Sequence, residues 1–198
     1  MPCSSMWSRG LLAGVALLLA ACAAGPGMRA GGGGPAPLSP PDRQLMHQAL
    51  MLMQAGRASE ALLLWRNLGE HRPDLALPRV NSGIALEALG QEEAALAAYR
   101  EAIEANPDSA AAWRRLARLQ RRLGRFEAAR ETYRKALARL PGDALLHRNF
   151  GVLCELYLRD LDCAAAQYRR YAELDATAEA ETRKWLADLG MRMEEQKP

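Results

Sequence analysis

The chain has 198 residues, of which 49% are hydrophobic and 25% charged, a balance that excludes a disordered or wholly membrane-embedded protein. Lys and Arg outnumber Asp and Glu by 26 to 23, a net charge of +3 that falls to +2 without the first 21 residues, which carry Arg9 and no acid. So small an excess gives no ground for nucleic-acid binding, and the charge matters through where it is placed.

The first element is a targeting segment. Arg9 precedes an apolar run of 11 residues, Leu11 to Ala21. A membrane span needs about 20 residues, so the run fits the apolar core of a secretory signal. It ends in Leu19-Ala20-Ala21-Cys22, which resembles the lipobox of bacterial lipoproteins. That resemblance implies that residues 1–21 are removed as a signal peptide, and that Cys22 is acylated, with palmitate among its chains, and anchors the protein in a membrane. The alternative is an ordinary secretory signal cut near Ala21 and Ala23, with Cys22 incidental. Ala23 after the cysteine, where Asp would retain the protein at the inner membrane, resembles the outer-membrane class and implies a periplasm-facing lipoprotein. Residues 22–41 follow as a Gly- and Pro-rich linker with no apolar period. Nothing in it offsets the entropy of ordering, and such a tether has an r.m.s. reach of roughly 25 Å.

From residue 42 onward the chain repeats itself every 34 residues. Gly56, Gly90 and Gly124 keep that spacing, as do Pro73, Pro107 and Pro141, and Trp65, Tyr99 and Tyr133. The units are 42–75, 76–109, 110–143 and 144–178, with a capping helix and tail over 179–198. Each of the first three reads as a helix, a Gly turn, a second helix and a Pro that ends it. In the third unit Trp113, Leu116 and Leu119/Gln120 form one apolar stripe, and Ala129, Tyr133, Ala136 and Leu137 form the next. A period of this length marks stacked helical hairpins. The predicted fold is therefore all-α: a right-handed superhelix of four helix-turn-helix units plus a C-terminal capping helix.

Trp113, Leu116, Gly124, Ala129, Tyr133, Ala136 and Pro141 stand at the spacing of the tetratricopeptide repeat, which the chain resembles. Gly83, Gly90, Ala95, Tyr99, Ala102 and Pro107 repeat the pattern, and Ala49, Gly56, Ala61, Trp65 and Pro73 do so in the first unit. The family implies a protein-binding scaffold whose first helices line a concave groove. The fourth unit departs from it. Tyr168 lies 35 residues after Tyr133, Leu158 takes the place of the turn glycine, and the extra residue is expected to lengthen the first helix. In the final helix Trp185, Leu186, Leu189 and Met191 are expected to cover the open end.

The chemistry-bearing residues are few. His47, His71 and His147 are scattered and belong to no nucleophile, phosphate-loop or zinc motif, so no enzyme, cofactor or metal site is expected. Cys154 and Cys163 flank the fourth turn at mirror positions, which a hairpin brings toward the ~5.5 Å Cα separation of a disulfide. The alternative is two buried free thiols. Arg114, Arg118, Arg121 and Arg125 step by 4, 3 and 4 and so share one face.

The resemblance points that face into the groove, beside Val80, Asn81, Ile84 and Glu87 on one side and Arg148, Asn149, Val152 and Glu155 on the other. Asn81, Ile84, Arg114, Arg118, Arg121, Arg148 and Asn149 are the candidate peptide-binding residues. Asn81 and Asn149 with Arg114 and Arg118 resemble the polar clamp by which such repeats hold an acidic peptide or a C-terminal carboxylate. The alternative is a solvated helix face that Arg keeps soluble. Nucleic acid is disfavoured because the basic face lacks stacking aromatics. The last unit, with FGVLCELYLRD, QYRRYAELD and KWLADL, resembles small tetratricopeptide proteins of TonB-type energy transduction. Pilotin-like lipoproteins of the type IV pilus and recruiters of peptidoglycan enzymes are the other settings, and oligomeric state is open.

Overall fold

The structure, a computed structural model, describes residues 36–195, all within one compact unit. The signal peptide, Cys22 and most of the linker lie outside the described residues. Among the described residues there are nine α-helices and no strand. They are α1 (Pro40–Gln54), α2 (Ala58–His71), α3 (Ala76–Ala88), α4 (Glu92–Ala105), α5 (Ala110–Arg122), α6 (Phe126–Arg139), α7 (Ala144–Leu153), α8 (Leu161–Leu174) and α9 (Glu179–Glu195).

Order begins inside the segment read as linker. Ser39 caps α1: its hydroxyl accepts the Asp42 N–H, and the Asp42 carboxylate accepts the Ser39 N–H. Pro40 and Pro41 then start the helix where a missing N–H costs nothing. Arg72 and Arg43 donate to the carbonyls of Ala36 and Leu38, which fastens the incoming chain to the first hairpin.

Each glycine turn has one geometry. Gly56, Gly90 and Gly124 have φ of 74°, 71° and 73°, the left-handed region that side chains avoid. The next N–H, of Arg57, Gln91 or Arg125, returns to the carbonyl five residues back at 2.9 Å and closes the helix. In the fourth unit Arg159, not Leu158, takes this position, with φ of 54°. The reason is the inserted residue. After Leu153 the chain tightens no further as α-helix and passes through a π-helical turn, Cys154–Leu158. A π turn holds one residue more than an α turn, so the closing bond from the Asp160 N–H reaches back six residues, to Cys154. Cys154 and Cys163 are joined as a disulfide, with a Cα separation of 5.8 Å, across this turn.

Because the π turn absorbs the insertion, α7 and α8 stay in register. Gly151 faces the Tyr168 ring as Gly83 faces the Tyr99 ring, each with no room for a methyl group. Trp65, Tyr99, Tyr133 and Tyr168 are all buried in the seam between helices. They also tie neighbouring units together: Tyr133 stacks on Phe150 at 5.5 Å, and Tyr168 meets Trp185 of α9 at 5.3 Å. The cap buries Thr182 and Leu189 and packs Trp185, Leu186 and Met193 partly against the last unit. Met191, expected in that set, is 61% exposed. Residues 182, 185, 186, 189 and 193 follow helical spacing, whereas 191 falls about 200° around the helix from 189.

Candidate protein-binding groove

The first helices form one face, with α3 beside α5 and α5 beside α7. α9 sits on the fourth unit as α7 sits on the third, since Trp185 meets Tyr168 where Phe150 meets Tyr133. A fourth comb runs along this face at the same spacing of 34: Met53, Glu87, Arg121 and Glu155. Glu87 accepts the Tyr99 hydroxyl and pairs with Arg122 at 2.9 Å and Arg118 at 3.7 Å. Glu155 accepts the Tyr168 hydroxyl at 2.9 Å and pairs with Arg192 of α9 at 2.7 Å. Met53 offers no carboxylate in the first unit, and the buried Trp65 indole N–H there has no acceptor. Burial and the carboxylate beside each phenol push Tyr99 and Tyr168 far above the ordinary range for tyrosine. Burial pushes Tyr133 up to about 12.

The basic run of α5 is thereby changed in meaning. Arg114 bridges to Asp143, the N-cap of α7, at 2.8 Å. Arg118 and Arg122 share Glu87, Arg122 also reaches Glu92 at 3.5 Å, and Arg125 pairs with Glu93. Arg121 lies over the Tyr157 ring at 5.2 Å. These arginines form a ladder between units. Arg118 and Arg122 are about half exposed, so each pair contributes roughly 0.2–1 kcal/mol and stays open to a partner.

The four residues read as a polar clamp do not converge. Asn81 donates to Leu77 O on its own helix at 3.0 Å, Arg114 is held by Asp143, and Asn149 is a half-buried residue two units from Asn81. Ile84 is half-buried against the core, and Val80 lies wholly within it. Arg148 stands at the far end, over the Trp185 ring at 5.8 Å. There the groove deepens into a cleft of about 300 Å³ between α7 and α9, lined by Arg148, Val152, Glu155, Tyr168, Lys184, Trp185 and Asp188. Sequence reasoning treated α9 only as a cap and so missed Lys184 and Asp188. Their spacing of four residues, on either side of Trp185, was the available signal.

His47 and His71 are exposed, and His147 is bonded to Gln167 at 2.8 Å and to Pro141 O at 3.1 Å. Among the described residues no group of three His, Cys, Asp or Glu is placed to hold a metal, and no helix is long and apolar enough to cross a membrane.

The tetratricopeptide repeat family matches residues 80–144, from the second turn of α3 to the start of α7. Among solved structures, a MamA RS-1 ArsTM double mutant superposes with a TM-score of 0.62 at 18% identity, over 80% of this chain and 88% of that one. MamA 41-end from Desulfovibrio magneticus RS-1 gives 0.61 at 18% identity, over 80% and 88%. A further MamA crystal structure gives 0.57 at 20% identity, over 70% and 75%. The fold is a tetratricopeptide stack. No curated protein sequence matches the chain. At such identities the likeness carries the architecture, and what this stack binds is argued from its own residues.

Proposed function

We propose that this chain is a membrane-tethered adaptor of the cell envelope, which holds a protein partner along the face formed by α3, α5, α7 and α9. One observation carries the reading: that face presents charged and aromatic side chains already fixed by neighbours from other units. Glu87 holds Arg118 and Arg122, and Trp185 carries Arg148. Groups held in place lose little rotamer freedom on binding, which favours recognition over a merely solvated surface. The scaffold role is binding and not catalysis. Arg9, the apolar run and Cys22 support an outer-membrane lipid anchor facing the periplasm. The resemblance of the last unit supports a TonB/ExbB-type system as the machine served, with the partner offering an acidic or C-terminal segment.

The experiment is crosslinked capture from envelope fractions with the full chain and with Arg118→Glu/Arg121→Glu. We expect energy-transduction proteins to be captured by the parent and lost from the variant, with helicity unchanged. Recovery of pilus-secretin or wall-enzyme subunits in their place would move the adaptor to that system. Undiminished recovery of the same partners by the variant would overturn the groove.

A further inference from the structure

We infer that the cleft between α7 and α9 is the anchoring point of this groove, and that it takes a partner peptide in which a carboxylate neighbours a large apolar side chain. This rests on the reading of the groove as a protein-binding face and says where and by what chemistry it binds. Unmatched charge singles out the cleft. Along α5 and the turn after it, Arg114, Arg118, Arg122 and Arg125 each face a carboxylate of a neighbouring unit. In the cleft the acids are already satisfied: Glu155 by Tyr168 and Arg192, and Asp188 by Arg192 at 3.3 Å. Arg148 and Lys184 line the same cleft, are both exposed, and form no ion pair among the described residues. With Arg192 shared between the two carboxylates, the cleft holds three cations against two acids, an excess of one positive charge, and Arg148 and Lys184 are the two without a carboxylate partner.

Its walls define the rest of the ligand. Trp185 is half-buried, with Arg148 over its ring and Tyr168 and Tyr171 packed at 5.3 and 6.4 Å. The indole is thus held rigidly, and Val152 extends the apolar wall. A cation resting on a fixed aromatic plane offers a carboxylate its charge and an adjacent apolar group its surface. The volume of about 300 Å³ suits one or two side chains and not a docked helix. A peptide laid along the groove would seat its acidic residue here and run back over α5.

Panning a random peptide library against the full chain tests this directly. We expect the selected peptides to share Asp or Glu beside an aromatic or branched aliphatic residue. A synthetic copy of the best peptide should quench Trp185 fluorescence and lose at least about tenfold in affinity, or ~1.4 kcal/mol, in Arg148→Glu/Lys184→Glu. Lys184→Glu alone, at an exposed position without an ion-pair partner, should lose part of that affinity with helicity intact, and it separates binding from capping. Peptides whose binding fails only in Arg118→Glu/Arg121→Glu would overturn the cleft and leave the groove standing. Selection of neutral or basic peptides would also overturn it. Failure to select any peptide would overturn both readings. Capture of anionic phosphatidylglycerol vesicles through Arg148 and Lys184, without peptide selection, would reassign the cleft to lipid.

Discussion

Replacing Gly83 by Ala adds one methyl group where α3 crosses the buried Tyr99. A Cβ at that position would lie 2.8 Å from Tyr99 Cδ1 and Cζ, and closer still to Cε1. Carbon atoms in contact sit roughly 3.5–4.0 Å apart, so helix and ring must separate by about an ångström. The ring cannot swing aside, because it is fully buried and its hydroxyl is held by Glu87. Overpacking of this kind costs about 1–3 kcal/mol, while Ala in place of Gly inside a helix returns about 1 kcal/mol, so the expected net loss reaches ~2 kcal/mol.

Gly190 supplies the control. It lies in α9 with nothing within 4 Å of an added Cβ, so Gly190→Ala should stabilise by up to ~1 kcal/mol from helix propensity alone. The same chemical change thus has opposite signs at two sites. Unfolding midpoints followed by circular dichroism should separate them by several degrees, at roughly 2–4 °C per kcal/mol for a domain of this size. Adding Tyr99→Leu should remove most of the penalty of Gly83→Ala, a coupling that a double-mutant cycle reads out. If Gly83→Ala stabilises as much as Gly190→Ala, the close approach of α3 to Tyr99 is wrong.

Glu87→Ala should cost about 1–3 kcal/mol by stranding the Tyr99 hydroxyl, and Glu87→Gln, which keeps an acceptor, should cost less. Equal midpoints for the two in urea would show that the hydroxyl needs no partner. Tyr99, Tyr133 and Tyr168 all have raised phenol pKa values, Tyr133 up to about 12, so the folded state keeps protons that the unfolded chain releases near pH ~10. Stability should therefore be intact below about pH 10 and decline as the pH rises toward 12, and a flat melting temperature over that interval would contradict it. Reducing the Cys154–Cys163 bond should lower stability by at most ~3 kcal/mol without loss of helicity, and an unchanged thiol count with and without reductant would dispose of the bond. Cys22→Ser should abolish palmitate labelling and release the chain from membranes, and unaltered membrane fractionation would remove the tether.

The helices and their turns were legible because their causes are local. A left-handed φ at Gly56, Gly90 and Gly124, a Pro that stops the second helix of each of the first three units, and an apolar stripe at helical spacing are all properties of adjacent residues. The inserted residue of the fourth unit was legible as a count, but not as a π turn ending on Arg159. Nothing in GVLCELYLRD distinguishes a lengthened α-helix from one that bulges to keep Gly151 against Tyr168. Met191 was misplaced for a different reason: the spacing of Trp185, Leu186 and Leu189 already set the helix phase, and Met191 lies about 200° from Leu189 on that wheel.

The candidate site was legible in its ingredients and not in its arrangement. The step of 4, 3 and 4 put Arg114, Arg118 and Arg121 together on α5, whereas Arg125 falls beyond its end, after the left-handed Gly124, as the N-cap of α6. What each arginine meets lies far along the chain: Asp143 is 29 residues from Arg114, Glu92 is 30 from Arg122, and Glu155 is 37 from Arg192. Periodicity says which residues share a helix face, because that follows from the 3.6-residue turn alone. Which charges are neutralised depends on how one unit stacks on the next, and that is decided by Tyr133 against Phe150 and Tyr168 against Trp185. The repeat, its helices and its turns therefore belong to the sequence by itself. The ladder of ion pairs, and the cleft in which Arg148 and Lys184 stand without a carboxylate partner, exist only once the units are stacked.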